Sequence, residues 1–398
     1  NDAVNPLPIA RAEGVYLYTP EGQRILDFNS QLMSVLIGHA HPRVIAAMKR
    51  QLDELIFVYP QTATQVRARL GKLMADITPG DINTFFFTLG GAEANENAIK
   101  AARLFTGRHK ILASYRSYHG GTALTMGLTG DPRRWANEPA PPGIVHFMDP
   151  RPYDYRFGTT EEEITANHLK YLEETIVMEG AHTIAAIIRE TVTGTNGVLA
   201  PPKGWLKGVR ALCDKYGIVY IADEVMAGFG RTGKWFAHQW ADILPDVMPL
   251  AKGLGSGVPV GAVVAGPRAA HIFQPGNHGT TFGGTPLACA AALATLDAIE
   301  QERLMEHVAA AGGPWIEALR GLAREFPAHV SAVRGQGFMV GVQMTGEPGP
   351  WLTRLRERGL LAVASGHNVI RFLPPLNATA AELARSVEIL RETLRAAA

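Results

Sequence analysis

Lys252 follows the apolar run Val247-Met248-Pro249-Leu250-Ala251 and precedes the glycine-rich turn Gly253-Leu254-Gly255-Ser256-Gly257. An amine at the end of a buried strand is desolvated, which lowers its pKa and makes it a competent Schiff-base nucleophile. The plain alternative is a lysine lying along a sheet rim with its ammonium in water. Asp223-Glu224 end the run Ile218 to Ala222, and Glu190 ends the run Ile184 to Arg189. Carboxylates just past buried strands serve either as helix caps or as site residues. Gly90-Gly91-Ala92-Glu93-Ala94-Asn95-Glu96 follows a phenylalanine-rich strand pattern and opens a helical one. The free N–H groups and dipole of a helix start suit a phosphate, although a glycine pair there is also an ordinary tight turn. Tyr118-His119-Gly120 follows a further strand pattern, where the ring either stacks on a planar cofactor or caps the core.

These residues need a scaffold that gathers strand ends. The short apolar runs Thr84 to Phe87, Lys110 to Leu112, Ile144 to Phe147, Ile184 to Ile188, Ile218 to Ala222, Val247 to Ala251 and Val258 to Ala265 supply it. Helical patterns or long connections separate most of them, which predicts an α/β fold with a mostly parallel sheet covered on both faces. Such sheets bind ligands at their carboxyl ends. A phosphate cradle, a stacking aromatic, a carboxylate and a lysine all fall at those ends. Pyridoxal 5'-phosphate needs that set: N–H donors for its phosphate, a partner for its ring, a carboxylate for its pyridine nitrogen and a lysine for its aldehyde.

Before the sheet, Val15 to Tyr18 and Arg24 to Leu26 flank Pro20, Glu21 and Gly22 as a hairpin. Pro42 then opens a helix whose apolar positions 44, 45, 48, 52, 55 and 56 are expected to form one buried face. After the sheet come an alanine-rich helix from Pro286, a helical stretch to Arg324, and a small α/β unit. That unit comprises Ser331 to Met344, helical Trp351 to Glu357, the strand-like Asn368 to Phe372 and a closing helix from Thr379.

The chain has 398 residues, enough for about two or three domains. Its 46% apolar and 19% charged residues describe a protein that buries a large core. The 38 basic and 37 acidic residues leave a net charge of +1, which offers no field for a nucleic acid or an anionic membrane. Cys213 and Cys289 lack metal-ligand spacing and sit among apolar residues, so two buried thiols and no metal are expected. No apolar run reaches the roughly 18 residues of a membrane span. The start, residues 1–11, does not read as a signal peptide. A soluble, cytoplasmic protein is the expectation.

The sequence resembles the class III pyridoxal-phosphate aminotransferases, which have the aspartate-aminotransferase type fold (fold type I). The likeness covers nearly the whole chain. Its most specific stretch is Ala222-Asp223-Glu224-Val225-Met226-Ala227-Gly228-Phe229-Gly230-Arg231-Thr232-Gly233, followed by Ala251-Lys252-Gly253, with Lys252 29 residues after Asp223. Gly38-His39-Ala40-His41-Pro42, Gly91 to Glu96, Tyr118-His119-Gly120 and Gly279-Thr280-Thr281-Phe282-Gly283-Gly284 match in the same order. The resemblance implies that Lys252 forms the Schiff base, that Asp223 pairs with the pyridinium nitrogen, and that Val225 and Tyr118 pack on opposite ring faces. It implies a phosphate held by Gly91 and Ala92, with Thr281 supplied by the other subunit of a homodimer, and His119 and Glu190 among the cofactor's neighbours. It also implies a large cofactor domain, residues 46–285, and a small domain built from residues 1–45 and 286–398.

The substrate branch divides. Asp27 to Met33, Tyr115 to Gly120 and Glu190 to Gly197 look like amine, taurine and ω-amino acid:pyruvate aminotransferases; Asn277 to Gly284, Val333 to Gly337 and Val369 to Asn377 look like acetylornithine aminotransferase. In the acetylornithine branch a glutamine, an arginine and a glutamate stand where this chain has Met226, Gly121 and Thr195. Losing those polar groups favours an apolar pocket suited to amines. Arg371, in Arg371-Phe372-Leu373-Pro374-Pro375-Leu376, is the expected clamp for a 2-oxo acid carboxylate, its alternative being a surface arginine. By likeness the donor pocket is lined by Gln31, Leu32, Met33, Phe57 and Tyr59, with Tyr118. The expected activity is ping-pong transfer from an amine or ω-amino acid to pyruvate through pyridoxamine phosphate. An acetylornithine or ornithine aminotransferase using 2-oxoglutarate is the alternative, and an aminomutase, a decarboxylase or a non-catalytic relative on the same scaffold are further ones.

Overall fold

The computed structural model of the chain describes residues 7–151, 155–270 and 276–397. Residues 1–6, which open the segment read for a signal peptide, lie outside the described residues. Each predicted apolar run in the middle of the chain is a strand of one seven-stranded sheet. Its spatial order is Thr84–Thr88, Gly261–Ala265, Val247–Leu250, Val219–Asp223, Ile184–Glu190, Lys110–Ser114 and Ile144–Phe147. All neighbours are parallel except Gly261–Ala265, which runs antiparallel to the strands on both sides. Reversing that one strand leaves Gly91, Glu190, Asp223 and Lys252 at the same edge of the sheet, because the strands that precede them all point one way.

The alternation of side chains shows why these runs are apolar throughout. Ile111, Ala113, Ala186, Ile188, Val219 and Ile221 pack with Ala94, Ala98 and Ile99 of the helix Gly91–Thr106. Their neighbours Leu112, Ile187, Tyr220 and Ala222 point to the other face, against Leu172, Ile176, Trp205 and Val209. A strand buried on both sides carries no polar alternation.

The hairpin forms as expected, with Tyr16 opposite Leu26, and gains a third strand, Arg11–Glu13. Leu360 and Leu361 add to it in parallel beside Leu26 and Asp27, so the two ends of the chain share one sheet. A second small sheet, Val330–Gln336, Met339–Met344, Val369–Phe372 and Val363–Ser365, carries Arg371. One apolar core joins Val15, Phe28 and Met74 to Leu250, Ile299, Trp315 and Leu394. Both cysteines are buried thiols. Among the described residues no helix is long and apolar enough to cross a membrane.

One expectation is corrected. The helix Pro42–Glu54 starts with proline as predicted, but its apolar stripe is not one buried face. Val44 is buried, whereas Ile45, Leu52, Leu55 and Ile56 are 40–54% exposed. Periodicity marks a face that avoids water without saying what covers it.

Candidate active site

Three adjacent strands end in the residues that the sequence singled out. Glu190 and Asp223 close neighbouring strands and stand opposite each other in register. Lys252 follows the next strand, at the start of the turn Lys252–Gly255, with φ +45°, a left-handed conformation that non-glycine residues hold mainly at functional sites. The helix Gly91–Thr106 begins beside them, and its first N–H groups have no intrahelical partner. A cavity of about 380 Å³ is lined by Gly91, Ala92, Asn95, Tyr118, His119, Glu190, Asp223, Val225, Met226 and Lys252.

Asp223 is the hub of the site. It is 3% exposed, and its Oδ2 accepts from Asn95 Nδ2 at 2.9 Å and lies 2.8 Å from His119 Nδ1, while Oδ1 accepts from the Val225 N–H at 3.0 Å. Asn95 also donates to the His119 carbonyl at 2.8 Å, which ties the helix to the Tyr118-His119-Gly120 loop. That loop approaches closely: a Cβ on Gly120 would sit 2.6 Å from the Ala92 Cβ. Gly91 is needed for a similar reason, since a Cβ there would meet Val225 Cγ1 at 2.8 Å. Asn95 was not singled out in the sequence, although it lies in the quoted stretch after Gly91.

Glu190 is buried and held by two backbone donors, Tyr118 N–H at 2.9 Å and Gly194 N–H at 2.8 Å. Burial pushes its carboxyl pKa up, and the neighbouring Asp223 adds to the rise. Glu224, next to the hub, turns away from the cavity and binds Thr191, His238 and the Ala237 N–H, so it anchors a loop. The Lys252 amine makes no hydrogen bond among the described residues, and burial pulls its pKa down. Tyr118 lines the cavity, and the Arg133 guanidinium covers its ring 3.9 Å from the centroid.

Other expected residues lie differently. Arg371 is 3% exposed, not a surface arginine, yet it does not line the cavity. Its Nη1 meets the Met226 thioether at 3.8 Å, and Met226 faces the cavity in its place. No carboxylate is hydrogen-bonded to Arg371 among the described residues, and burial pulls its pKa down to about 10. Leu32, expected at the substrate, is 57% exposed and outside the cavity lining. The reason is a left-handed turn: Ser30 to Met33 all have positive φ, which leaves Leu32 at the surface and Met33 against Met226 and Met339. Ser34 lines the cavity from that segment, whereas Gln31, Phe57 and Tyr59 do not. Thr281 is exposed and likewise outside it.

The sequence pattern of the family described as aminotransferase class-III matches residues 1–394. The chain belongs to the class III aminotransferases. The enzyme is 39% identical over 385 residues to the acetylornithine aminotransferase of Nitrosomonas europaea, covering 95% of this chain and 92% of that one. Among solved structures it is similar to the taurine:2-oxoglutarate aminotransferase of Bifidobacterium kashiwanohense in complex with PLP and glutamate. There the TM-score is 0.94 at 37% identity, covering 98% of this chain and 93% of that one. An (S)-enantioselective ω-transaminase from Thermomicrobium roseum matches with a TM-score of 0.93, also at 37% identity and with the same coverage. The enzyme is therefore a pyridoxal-phosphate-dependent aminotransferase of fold type I.

The residues present fit that cofactor. Helix N–H groups without an intrahelical partner, a buried carboxylate hub and an amine with no hydrogen bond among the described residues line one cavity. Its volume lies within the usual range for small-molecule sites, about 300–1,000 Å³.

Proposed function

We propose that the enzyme moves an amino group from an amine or ω-amino acid to a 2-oxo acid, with pyruvate as acceptor, in two half-reactions on one site. Bound pyridoxal phosphate supplies an aldehyde for the incoming amine and a ring that accepts the electron pair left when the substrate carbon loses its proton. The Gly91 and Ala92 N–H groups would hold the phosphate, and Val225 and Tyr118, which line the same cavity, would pack on the ring. Asp223, oriented by Asn95 and His119, keeps a proton on the ring nitrogen. Lys252 Nζ would move the proton from the substrate carbon to the cofactor carbon on the far side of the shared nitrogen. Arg371, from the small C-terminal unit, receives the acceptor's carboxylate through its planar fork.

The observation that carries the donor reading is the contact of Met226 with Arg371. A thioether is a weak acceptor on a flexible stem, so it shields the guanidinium from an apolar donor and yields to a carboxylate. The acetylornithine reading draws support from the Nitrosomonas europaea relative named above, but Met226, Gly121 and Thr195 offer a doubly polar donor no charged contact. The test is a set of half-reactions followed by cofactor absorbance with L-alanine, L-glutamate, taurine, an aryl amine and N-acetylornithine added separately. Bleaching by alanine and an amine, with N-acetylornithine inert, is expected. Fast bleaching by N-acetylornithine overturns the donor reading, and bleaching by glutamate but not alanine replaces pyruvate with 2-oxoglutarate. In Arg371→Ala the KM for pyruvate should rise by about ten-fold or more, the value of a charge-assisted pair.

The reading includes a homodimer in which Thr281 of the partner subunit completes the phosphate site. Support comes from the apolar surface beside the cavity: Leu52, Leu55, Ile56, Phe57, Leu89 and Phe282 are each 40–54% exposed, and Phe57 lies 5.4 Å from Phe282. Exposed large apolar side chains gathered in this way favour a subunit interface. Sedimentation should give twice the 42.9 kDa chain mass, and a monomer that turns over at full rate rules the shared site out.

A further inference from the structure

We propose that Arg231 is a positioning residue for the acceptor's carboxylate: it fastens the strand that carries Arg371 to the turn that follows Asp223 and Met226, and it adds a second buried cation to the field there. The inference rests on the role of Arg371 given above.

Arg231 belongs to a tight turn in which Phe229, Gly230 and Gly233 all have positive φ and the Gly233 N–H returns to the Gly230 carbonyl at 2.9 Å. The turn lies close against the small C-terminal unit. Phe338 N–H donates to the Arg231 carbonyl at 3.0 Å, a Cβ on Gly337 would stand 2.8 Å from that carbonyl, and a Cβ on Gly230 would stand 3.0 Å from Leu376 Cδ1. The side chain adds the deciding contacts: its Nη1 donates to the Phe338 carbonyl at 3.4 Å and to the Pro374 carbonyl. These two carbonyls bracket Arg371. Phe338 precedes the strand Met339–Met344, whose Gly341 stands opposite Arg371, and Pro374 follows Arg371 three residues later. One guanidinium thus holds both the clamp's strand and its neighbour against the segment that seats Met226, the residue in contact with Arg371.

Packing alone does not explain a guanidinium at this place. Arg231 is fully buried, its hydrogen bonds among the described residues go to carbonyls and none to a carboxylate, and its Nε and Nη2 meet no acceptor among those residues. A buried charge without a counter-charge is costly, and an apolar side chain of similar volume would serve better in a site that only needs filling. Arg371 is in the same state: it is buried, its Nε meets no acceptor among the described residues, and its Nη1 faces a thioether. Burial pulls the Arg231 pKa down to about 9 and the Arg371 charge adds to the fall, so the two cations lie within electrostatic reach of each other. A carboxylate arriving at Arg371 relieves both, because opposite charges attract far more strongly in a dry interior than in water. A substrate without a carboxylate gains nothing from either. The pair therefore selects charged acceptors over uncharged carbonyl compounds, with Arg371 making the contact and Arg231 fixing its strand and strengthening its field.

The aminated holoenzyme is reacted with pyruvate and with propanal, an aldehyde that lacks the carboxylate, in the unaltered chain and in Arg231→Met, Arg231→Lys, Gly337→Ala and Arg371→Ala. Arg231→Met should raise the pyruvate KM by about ten-fold and the propanal KM by less than about two-fold. Arg231→Lys, which keeps the charge without the planar fork, should recover part of that loss. A second readout needs no turnover: propanoate should raise the melting temperature of the holoenzyme more than propanamide does, and that difference should shrink in Arg231→Met. If loss of the buried guanidinium prevents folding, Gly337→Ala decides, since its Cβ would push the Phe338 turn off the Arg231 carbonyl and leave both arginines in place. The same selective rise for pyruvate is expected there. Equal losses for pyruvate and propanal, or a propanoate effect unchanged in Arg231→Met, overturn the inference. Arg371→Ala separates it from the reading beneath it. An unchanged pyruvate KM in that variant sinks the role of Arg371, whereas a rise there, with neither Arg231→Met nor Gly337→Ala selective for pyruvate, sinks the role of Arg231 alone.

Discussion

Lys252→Ala is expected to lose transamination altogether, a fall of at least about 10³-fold in kcat. One positioned acid–base group is worth about 10²–10⁴-fold, and the same amine also makes the covalent link to the cofactor. The structure prepares it for both tasks. Burial pulls its pKa down, so near neutral pH a larger share is the neutral base than for a lysine in water, while the Asp223 and Glu190 charges limit the fall. Single-turnover absorbance measures the loss directly. Added methylamine should restore part of the rate in the variant, because a free amine can replace the missing base and cannot repair a damaged fold. A variant that keeps a tenth of the rate would remove Lys252 from the reaction.

Asp223→Asn is expected to lower kcat by about 10²–10³-fold, comparable to deleting one preorganised electrostatic contact in other active sites. The neutral amide keeps the shape, and its oxygen can still accept from the Val225 N–H, as Asp223 Oδ1 does at 3.0 Å. What disappears is the charge that, on the proposed reading, holds a proton on the ring nitrogen. Cofactor affinity, titrated by fluorescence quenching, should fall much less than kcat, since the proposed phosphate site lies elsewhere, at the Gly91 helix start. Equal losses in both would make Asp223 an anchor rather than an electronic partner. The reach of Asp223 to Asn95 and His119 also predicts that its replacement disturbs the Tyr118 loop less than removal of Asn95 would, because Asn95 donates directly to the His119 carbonyl.

Much of this site was legible before any coordinates. A run such as Ile184-Ala185-Ala186-Ile187-Ile188 announces a strand buried on both faces, and the residue that ends it must emerge at a sheet edge. Lys252, Asp223 and Glu190 were found in that way, and Gly91 and Ala92 by the turn that opens their helix. The helix from Pro42 shows the boundary of the method. Its apolar spacing was read correctly, but the inference that one chain buries it was not, because Ile45, Leu52 and Leu55 remain exposed. Leu32 lies at the surface, outside the cavity lining, for another reason: four successive positive φ values reverse the chain there, and no glycine advertises the turn.

The sequence by itself determined the order of strands and helices, the strand ends that meet at the cavity, and the cofactor of the family. Each of these depends on near neighbours along the chain: a period of two or 3.6, a glycine at a turn, a polar residue closing an apolar run. Only the tertiary structure decided the direction of Gly261–Ala265, the bridge from Asn95 to Asp223, the seat of Met226 over Arg371 and the stacking of Arg133 on Tyr118. Asn95 and Asp223 are 128 positions apart, and Arg371 and Met226 are 145 apart. No local propensity encodes such meetings; they arise when buried faces are packed to full density and each polar group left inside must find a partner.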